Sequence, residues 1–246
     1  MKADHFDQQK LLALAAEDVA LTQLAHRRRT LPEAAAVEAA AEADRDAAGA
    51  VVLAETEVRD LQREVARLES DVETVRARAA KDQRQLDSGS VAAKQMTELQ
   101  HELQSLARRQ SDLEDQELEL MEQLETAEAT LAAAQEGHGR AQADRERAEQ
   151  LRDDALADVA DAMTQHEKAR EEAVATVPAD LLALYERIRS HTGGTGAAML
   201  KARQCQGCRI ELFGKELAAV RNADPHEVVR CDNCGRILVR TAESGL

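Results

Sequence analysis

The chain is nearly without aromatic residues: its 246 positions hold one Tyr, two Phe and no Trp. Aromatic side chains supply much of the buried area of an ordinary core, so their scarcity argues against a large globular domain. Only three prolines interrupt the chain, which favours long helices. No apolar run approaches the ~18 residues of a transmembrane helix. The opening MKADHFDQQK lacks the apolar centre of a signal peptide, so the expectation is a cytoplasmic protein. Cysteine is confined to four positions within residues 205–234. In a cytosolic setting two such pairs speak against disulfides.

What is present is charge and alanine. Charged residues make up 32% of the chain and the net charge is −15. Residues 201–246 carry eight Lys/Arg against six Asp/Glu, leaving 24 against 41 for the remainder. So acidic a segment repels phosphate, and any nucleic-acid contact belongs to the C-terminal piece. Val58, Leu61, Val65, Leu68, Val72 and Val75 step by three and four, and a second seam runs from Met96 through Leu99, Leu103 and Leu106 and then, after steps of seven, Leu113, Leu120, Leu124, Ala127 and Leu131. These are two coiled-coil seams. LDSGSVAAK lies between them, with Gly89 suited to ending one helix and Ser90 to capping the next.

The expected fold is therefore mainly α: a long antiparallel coiled-coil hairpin over 1–176, its tip near 87–90, followed by a small β-rich C4 zinc ribbon over 196–246. Folding about Gly89 places Val75 near Leu103, Leu68 near Gln110 and Val58 near Leu120. Pro32 in HRRRTLPEAAAV predicts a break near 30–32, and EGHGR (Gly137, Gly139) a bend opposite it. Residues 177–195 read as an amphipathic linker helix starting at Pro178, followed by a Gly-rich hinge. Strands are expected near Ala197–Arg203, Val228–Arg230 and Ile237–Arg240, with a helical turn at Lys215–Arg221.

The chemistry lies in two identical knuckles, Cys205-x2-Cys208 and Cys231-x2-Cys234, separated by 22 residues. Each CxxC turn aims two thiolates at one point, and two turns make a tetrahedral zinc site. Four thiolates leave no open coordination position, so the expectation is one structural Zn2+. Gly207 and Gly235 lie where the backbone must curl around sulfur.

CQGC, an internal helix and VVRCDNCGRIL, together with LPEA, KQMTELQHELQSLARRQSDLEDQELELME and PADLLALYERIR, resemble a bacterial family. In that family a long coiled-coil hairpin precedes a C4-type zinc ribbon. The resemblance implies a non-enzymatic protein whose relatives act as adaptors or chaperones in flagellar and secretion systems, binding an alternative sigma factor or flagellin messenger RNA. It carries over the ligands Cys205, Cys208, Cys231 and Cys234.

The leading expectation is an adaptor in gene expression. The arm takes a protein partner and the ribbon takes protein, RNA or DNA, with no membrane and no small-molecule substrate. Candidate nucleic-acid contacts are Lys201, Arg203, Arg209, Lys215, Arg221, Arg230, Arg236 and Arg240, with Phe213 alone available for stacking. A second reading is a regulator resembling the secondary-channel factors of RNA polymerase, whose hairpin tips are acidic; here Asp82 and Asp87 lie near the tip. A third is a purely structural coiled-coil scaffold. An enzyme is disfavoured by seven scattered histidines and the lack of HExxH, a phosphate-binding loop or a nucleophile elbow.

Overall fold

A computed structural model describes residues 1–246. The elements run α1 (His5–Arg29), α2 (Pro32–Asp87), α3 (Ala93–Thr176), α4 (Ala179–Thr192), β1 (Ala197–Lys201), β2 (Gln204–Cys205), α5 (Gly214–Asn222) and β3 (Ile237–Val239). They divide into two compact units, Ala35–Glu149 and the discontinuous pair Met1–Ala34 with Gln150–Leu246. No helix is long and apolar enough to cross a membrane.

The helix ends follow local chemistry. Asp4 caps α1 by accepting the Phe6 amide at 2.8 Å, and His26, Arg27, Arg28 and Arg29 sit at its negative end. The chain then breaks at Thr30 and restarts with Pro32 in the first turn of α2, where a missing N–H costs nothing. Gly89, in the left-handed region at φ 66°, follows the end of α2. Ser90 does not cap α3, which begins three residues later. Its hydroxyl lies 2.8 Å from that of Ser88, which already donates to the Gln85 carbonyl. Helix α3 runs unbroken through Gly137 and Gly139.

In the Ala35–Glu149 unit, α2 and α3 are antiparallel neighbours. Leu68 and Val72 share a buried cluster with Leu113, and Val75 and Leu120 pack against it. A fold at Gly89 placed Leu68 by residue 110 and Val72 by residue 106, so the true register is offset by three to seven residues. The turn is not a fold at one residue: Ser88 to Ala92 separate the helix ends. Heptad seams offer nearly equivalent pairings at each turn, so the cross-helix ion pairs Arg76–Glu114 and Arg78–Glu102, both 2.7 Å, help select the stagger.

The other unit is built on a three-stranded sheet of order β2-β1-β3. β1 pairs in parallel with β3, Ala197 opposite Ile237 and Met199 opposite Val239, and antiparallel with β2. Strand alternation then sorts the side chains. Ala197, Ile237 and Val239 join Leu11 and Leu14 of α1 and Leu181, Tyr185 and Ile188 of α4 in one core. Ala198, Leu200 and Leu238 face the other way and pack around Cys205, Cys231, Leu212 and Val220. Val228–Arg230, expected as a strand, contributes only a bridge from Arg230 to Ile237 and the Val229 carbonyl, which accepts from the Leu238 amide at 2.9 Å. Outside it the N-terminal residues add a further edge. The Ala3 amide donates to the His226 carbonyl at 2.8 Å and the Val228 amide to that of Met1 at 3.1 Å, while buried Gln8 donates to the Ala3 and Pro225 carbonyls.

The Gly-rich link is pinned at both ends. The Thr192 hydroxyl donates to the Thr195 carbonyl at 2.7 Å, and Gly196 lies directly under Tyr185, where a Cβ would come within 2.3 Å of the Tyr185 carbonyl oxygen.

Candidate metal centre

Cys205 ends β1's antiparallel partner and Cys208 closes the first knuckle, its turn locked by the Arg209 amide donating to the Cys205 carbonyl at 2.7 Å. In the second knuckle the Gly235 amide donates to the Cys231 carbonyl at 2.8 Å. The residue after each knuckle is left-handed: Gly235 at φ 74°, but Arg209 at φ 61°. Gly207 serves a different end from the curl expected of it. A Cβ there would lie 2.9 Å from that of Ala198 and 2.8 Å from Arg236 Cδ, so glycine permits close packing.

All four sulfurs lie within 4.8 Å of one another, with Cys205–Cys234 at 3.8 Å and Cys208–Cys231 at 3.9 Å. A tetrahedron with metal–sulfur bonds of about 2.3 Å has edges of about 3.8 Å, so the thiolates fit zinc. Burial pushes the Cys205 thiol up to about 12, partly offset by the Cys208 and Gly207 amides and reinforced by the neighbouring sulfurs. Cys231 is likewise raised by burial. For Cys234 burial also raises the value, but the amide and guanidinium of Arg236 and the neighbouring thiols outweigh it, bringing the group down to about 7. Four such sulfurs cannot all ionise without a cation among them, and a divalent soft metal is the cation this donor set suits. The zinc is one structural ion with a closed coordination sphere.

The candidate nucleic-acid residues divide sharply. Arg240 donates to five backbone carbonyls, those of Val220, Ala223, Asp224, Pro225 and Glu227, and so caps the C-terminus of α5 and holds the loop that follows. Arg236 donates to the Thr195 carbonyl and hydroxyl, Arg230 to the Gly235 carbonyl and Arg203 to that of Gly245. Lys201 pairs with Glu243 at 2.7 Å. Arg209, Lys215 and Arg221 make no ion pair and stand free. Arg209 and Lys215 flank the exposed Ile210 and Phe213. Ala202 and Arg203 form a two-residue turn with both φ positive, at 45° and 65°, held by their amides donating to the Glu243 and Ser244 carbonyls.

Beside the ribbon lies a cluster no motif announced. Asp18 of α1, with a side chain 0% exposed, accepts the Tyr185 hydroxyl at 2.5 Å and pairs with Arg170 Nε at 2.7 Å and Arg189 Nε at 3.0 Å. Glu186 pairs with both arginines from outside. This ionic knot joins α1, α3 and α4 beneath the sheet.

The chain matches the CT398-like coiled coil hairpin domain over residues 14–193 and the C4-type zinc ribbon domain over 204–238. An uncharacterised protein of Mycobacterium tuberculosis strain H37Rv is 42% identical over 243 residues, 98% of each chain. A solved structure from Mycobacterium smegmatis has a TM-score of 0.84 at 35% identity, covering 98% of this chain and all of that one. CT398 from Chlamydia trachomatis has a TM-score of 0.64 at 19% identity over 96% of this chain and 98% of its own, a likeness of fold.

Proposed function

Because this chain belongs to the family of CT398-like coiled coil hairpins ending in a C4-type zinc ribbon, we propose that it is a non-enzymatic adaptor. The hairpin holds one protein partner and the ribbon presents a second docking face. The observation that carries this reading is the fastening of the ribbon: its sheet shares a core with α1 and α4, and the four cysteines gather on the opposite side of the same sheet. A metal with four thiolates has no position left for substrate, so its contribution is folding energy and a fixed mount.

Of the three free cations, Arg209 and Lys215 flank the exposed Ile210 and Phe213, and these four residues mark the ribbon's docking face. Arg209 favours that face further, since a non-glycine residue occupies the left-handed position that the twin knuckle gives to Gly235. At the hairpin tip Asp87 accepts from Gln83 on its own helix at 2.9 Å, an ordinary surface contact, and this gives the polymerase-channel reading no support.

The test is recovery of partners from native cytosol by the full-length zinc-bound protein, with and without nuclease, and by Arg209→Glu/Lys215→Glu. A protein partner that survives nuclease supports the adaptor reading, and its loss from the double variant places it on the ribbon. Turnover of a nucleic acid or metabolite by the purified protein, abolished by a substitution away from the cysteines, overturns it.

A further inference from the structure

The hairpin's acid–base matching fails over one stretch. Towards the tip, Arg76–Glu114 and Arg78–Glu102 cross between the helices; further from it, Asp44 meets His138 at 3.3 Å and Arg145 at 3.4 Å. Between them no ion pair crosses. Glu57, Asp60 and Glu64 of α2 instead line the same groove as Glu119 and Glu122 of α3. The only partner any of these five finds is Arg63, one turn along from Asp60. The asymmetry is written into α3, which has nine acidic residues and no Lys or Arg between Gln110 and Gly139. Like charges facing each other along a coiled coil weaken it, so a cation from outside would relieve a cost the hairpin carries alone.

The same stretch is open and partly apolar. Two stripes at three- and four-residue spacing, 53–64 on α2 and 119–130 on α3, bound a groove of about 810 Å³. A second groove of about 320 Å³ continues it to Leu68 and Gln116, sharing Glu64 and Glu119, and Arg67 there is the one cation in either lining, which places the acidic stretch at 57–64 and 119–122. Leu53, 74% exposed, and half-buried Leu61 supply its apolar surface. From 53 to 68 the groove runs ~22 Å, the length of a helix of about fifteen residues. Carboxylates on both walls repel a nucleic acid.

Resting on the reading of the hairpin as a protein-binding element, we infer that this groove takes a cationic amphipathic helix of a partner protein. Its Lys and Arg lie between the acidic walls and its apolar stripe covers Leu53 and Leu61, completing a local three-helix bundle.

Two synthetic helices of one composition test this on the full-length zinc-bound protein by fluorescence anisotropy. One gathers its leucines into a stripe flanked by Lys and Arg; the other scatters them at equal net charge. The striped peptide is expected to bind at least tenfold more tightly. Glu119→Lys/Glu122→Lys and, separately, Leu53→Asp should each weaken it at least tenfold. Glu125→Lys/Glu128→Lys, the same charge change on the opposite face of α3, should leave it within about twofold, and circular dichroism checks that each variant keeps its helix. Equal binding of the two peptides, or equal loss from the two double variants, reduces the groove to diffuse charge attraction and overturns the inference. Concentration-dependent dimerisation abolished by Glu119→Lys/Glu122→Lys also overturns it, by making a second copy the occupant. A partner protein that binds the hairpin unaffected by these variants, with neither peptide bound, removes the groove assignment and leaves the adaptor reading standing. If the hairpin binds no protein, both fall.

Discussion

Replacing Asp18 with Asn tests the ionic knot with almost no change of shape. Two donors, Tyr185 Oη–H and Arg170 Nε–H, each take one carboxylate oxygen, and the Arg189 guanidinium lies 3.0 Å from the oxygen that Arg170 holds, adding charge without a hydrogen bond. Asn offers one oxygen, and its amide turns a donor toward a donor. Removing one partner of a buried ion pair costs roughly 3–5 kcal/mol, but Arg170 and Arg189 are 21% and 37% exposed and keep Glu186, so about 3 kcal/mol is the working figure. Tyr185 is the only tyrosine and there is no Trp, so intrinsic emission reports this unit alone, while far-ultraviolet circular dichroism is dominated by the long helices. With a urea m-value of ~2 kcal/mol/M, the tyrosine transition should fall by ~1.5 M. In a cycle with Tyr185→Phe the two substitutions should be non-additive by about 1 kcal/mol. A midpoint shift under ~0.5 M, or strict additivity, would refute the claim that this carboxylate organises the unit.

Gly196→Ala should be among the most damaging single changes, costing more than about 3 kcal/mol, because its Cβ would strike the Tyr185 backbone and ring; normal thermal unfolding of the variant would contradict the packing. Arg240→Lys should behave almost like Arg240→Ala, each losing about 2 kcal/mol and releasing zinc faster to a chromogenic chelator, since one ammonium cannot reach five carbonyls. Burial and the Asp18 carboxylate push the Tyr185 phenol well up. A raised folded value gives stability that is whole below the unfolded value of about 10 and is lost as pH climbs beyond it. Tyrosinate absorbance should therefore appear only with unfolding, and Tyr185→Phe should lose that alkaline slope. Chelation should remove one zinc per chain and alter Tyr185 emission through β1 and β3 while most helical signal persists; an unchanged emission would separate the metal from the shared core.

What the sequence made legible were features with positional chemistry. Pro32 and Pro178 mark helix starts because proline tolerates few other helical places, and the paired CxxC knuckles name their ligands by spacing alone. The seams revealed a hairpin but not its register, since sliding by a turn still sets Leu and Val against Leu and Val. Asp18 was illegible for a related reason: it is one acid among 47, and its partners lie more than 150 residues away. Counting basic residues could not separate Arg240, spent on its own backbone, from Arg209, which stands free. Ser90 was misplaced as a cap because Ser88 offers a competing hydroxyl two residues earlier.

The pairing of Met1–Ala3 with His226–Val228 has a consequence for how the protein is made. At about 5–20 residues per second, a ribosome needs roughly ten to fifty seconds between the first of these strands and the second. Throughout that interval Leu11 and Leu14 have no Ile237 to close over them, and Asp18 gains Tyr185 only near its end, whereas Ala35–Glu149 contains both of its helical segments and can pair as it emerges. The hairpin is thus the early product of synthesis. The unit that joins Met1–Ala34 to Gln150–Leu246 is sealed later, once the second knuckle has followed the first and a metal can be gripped from both sides.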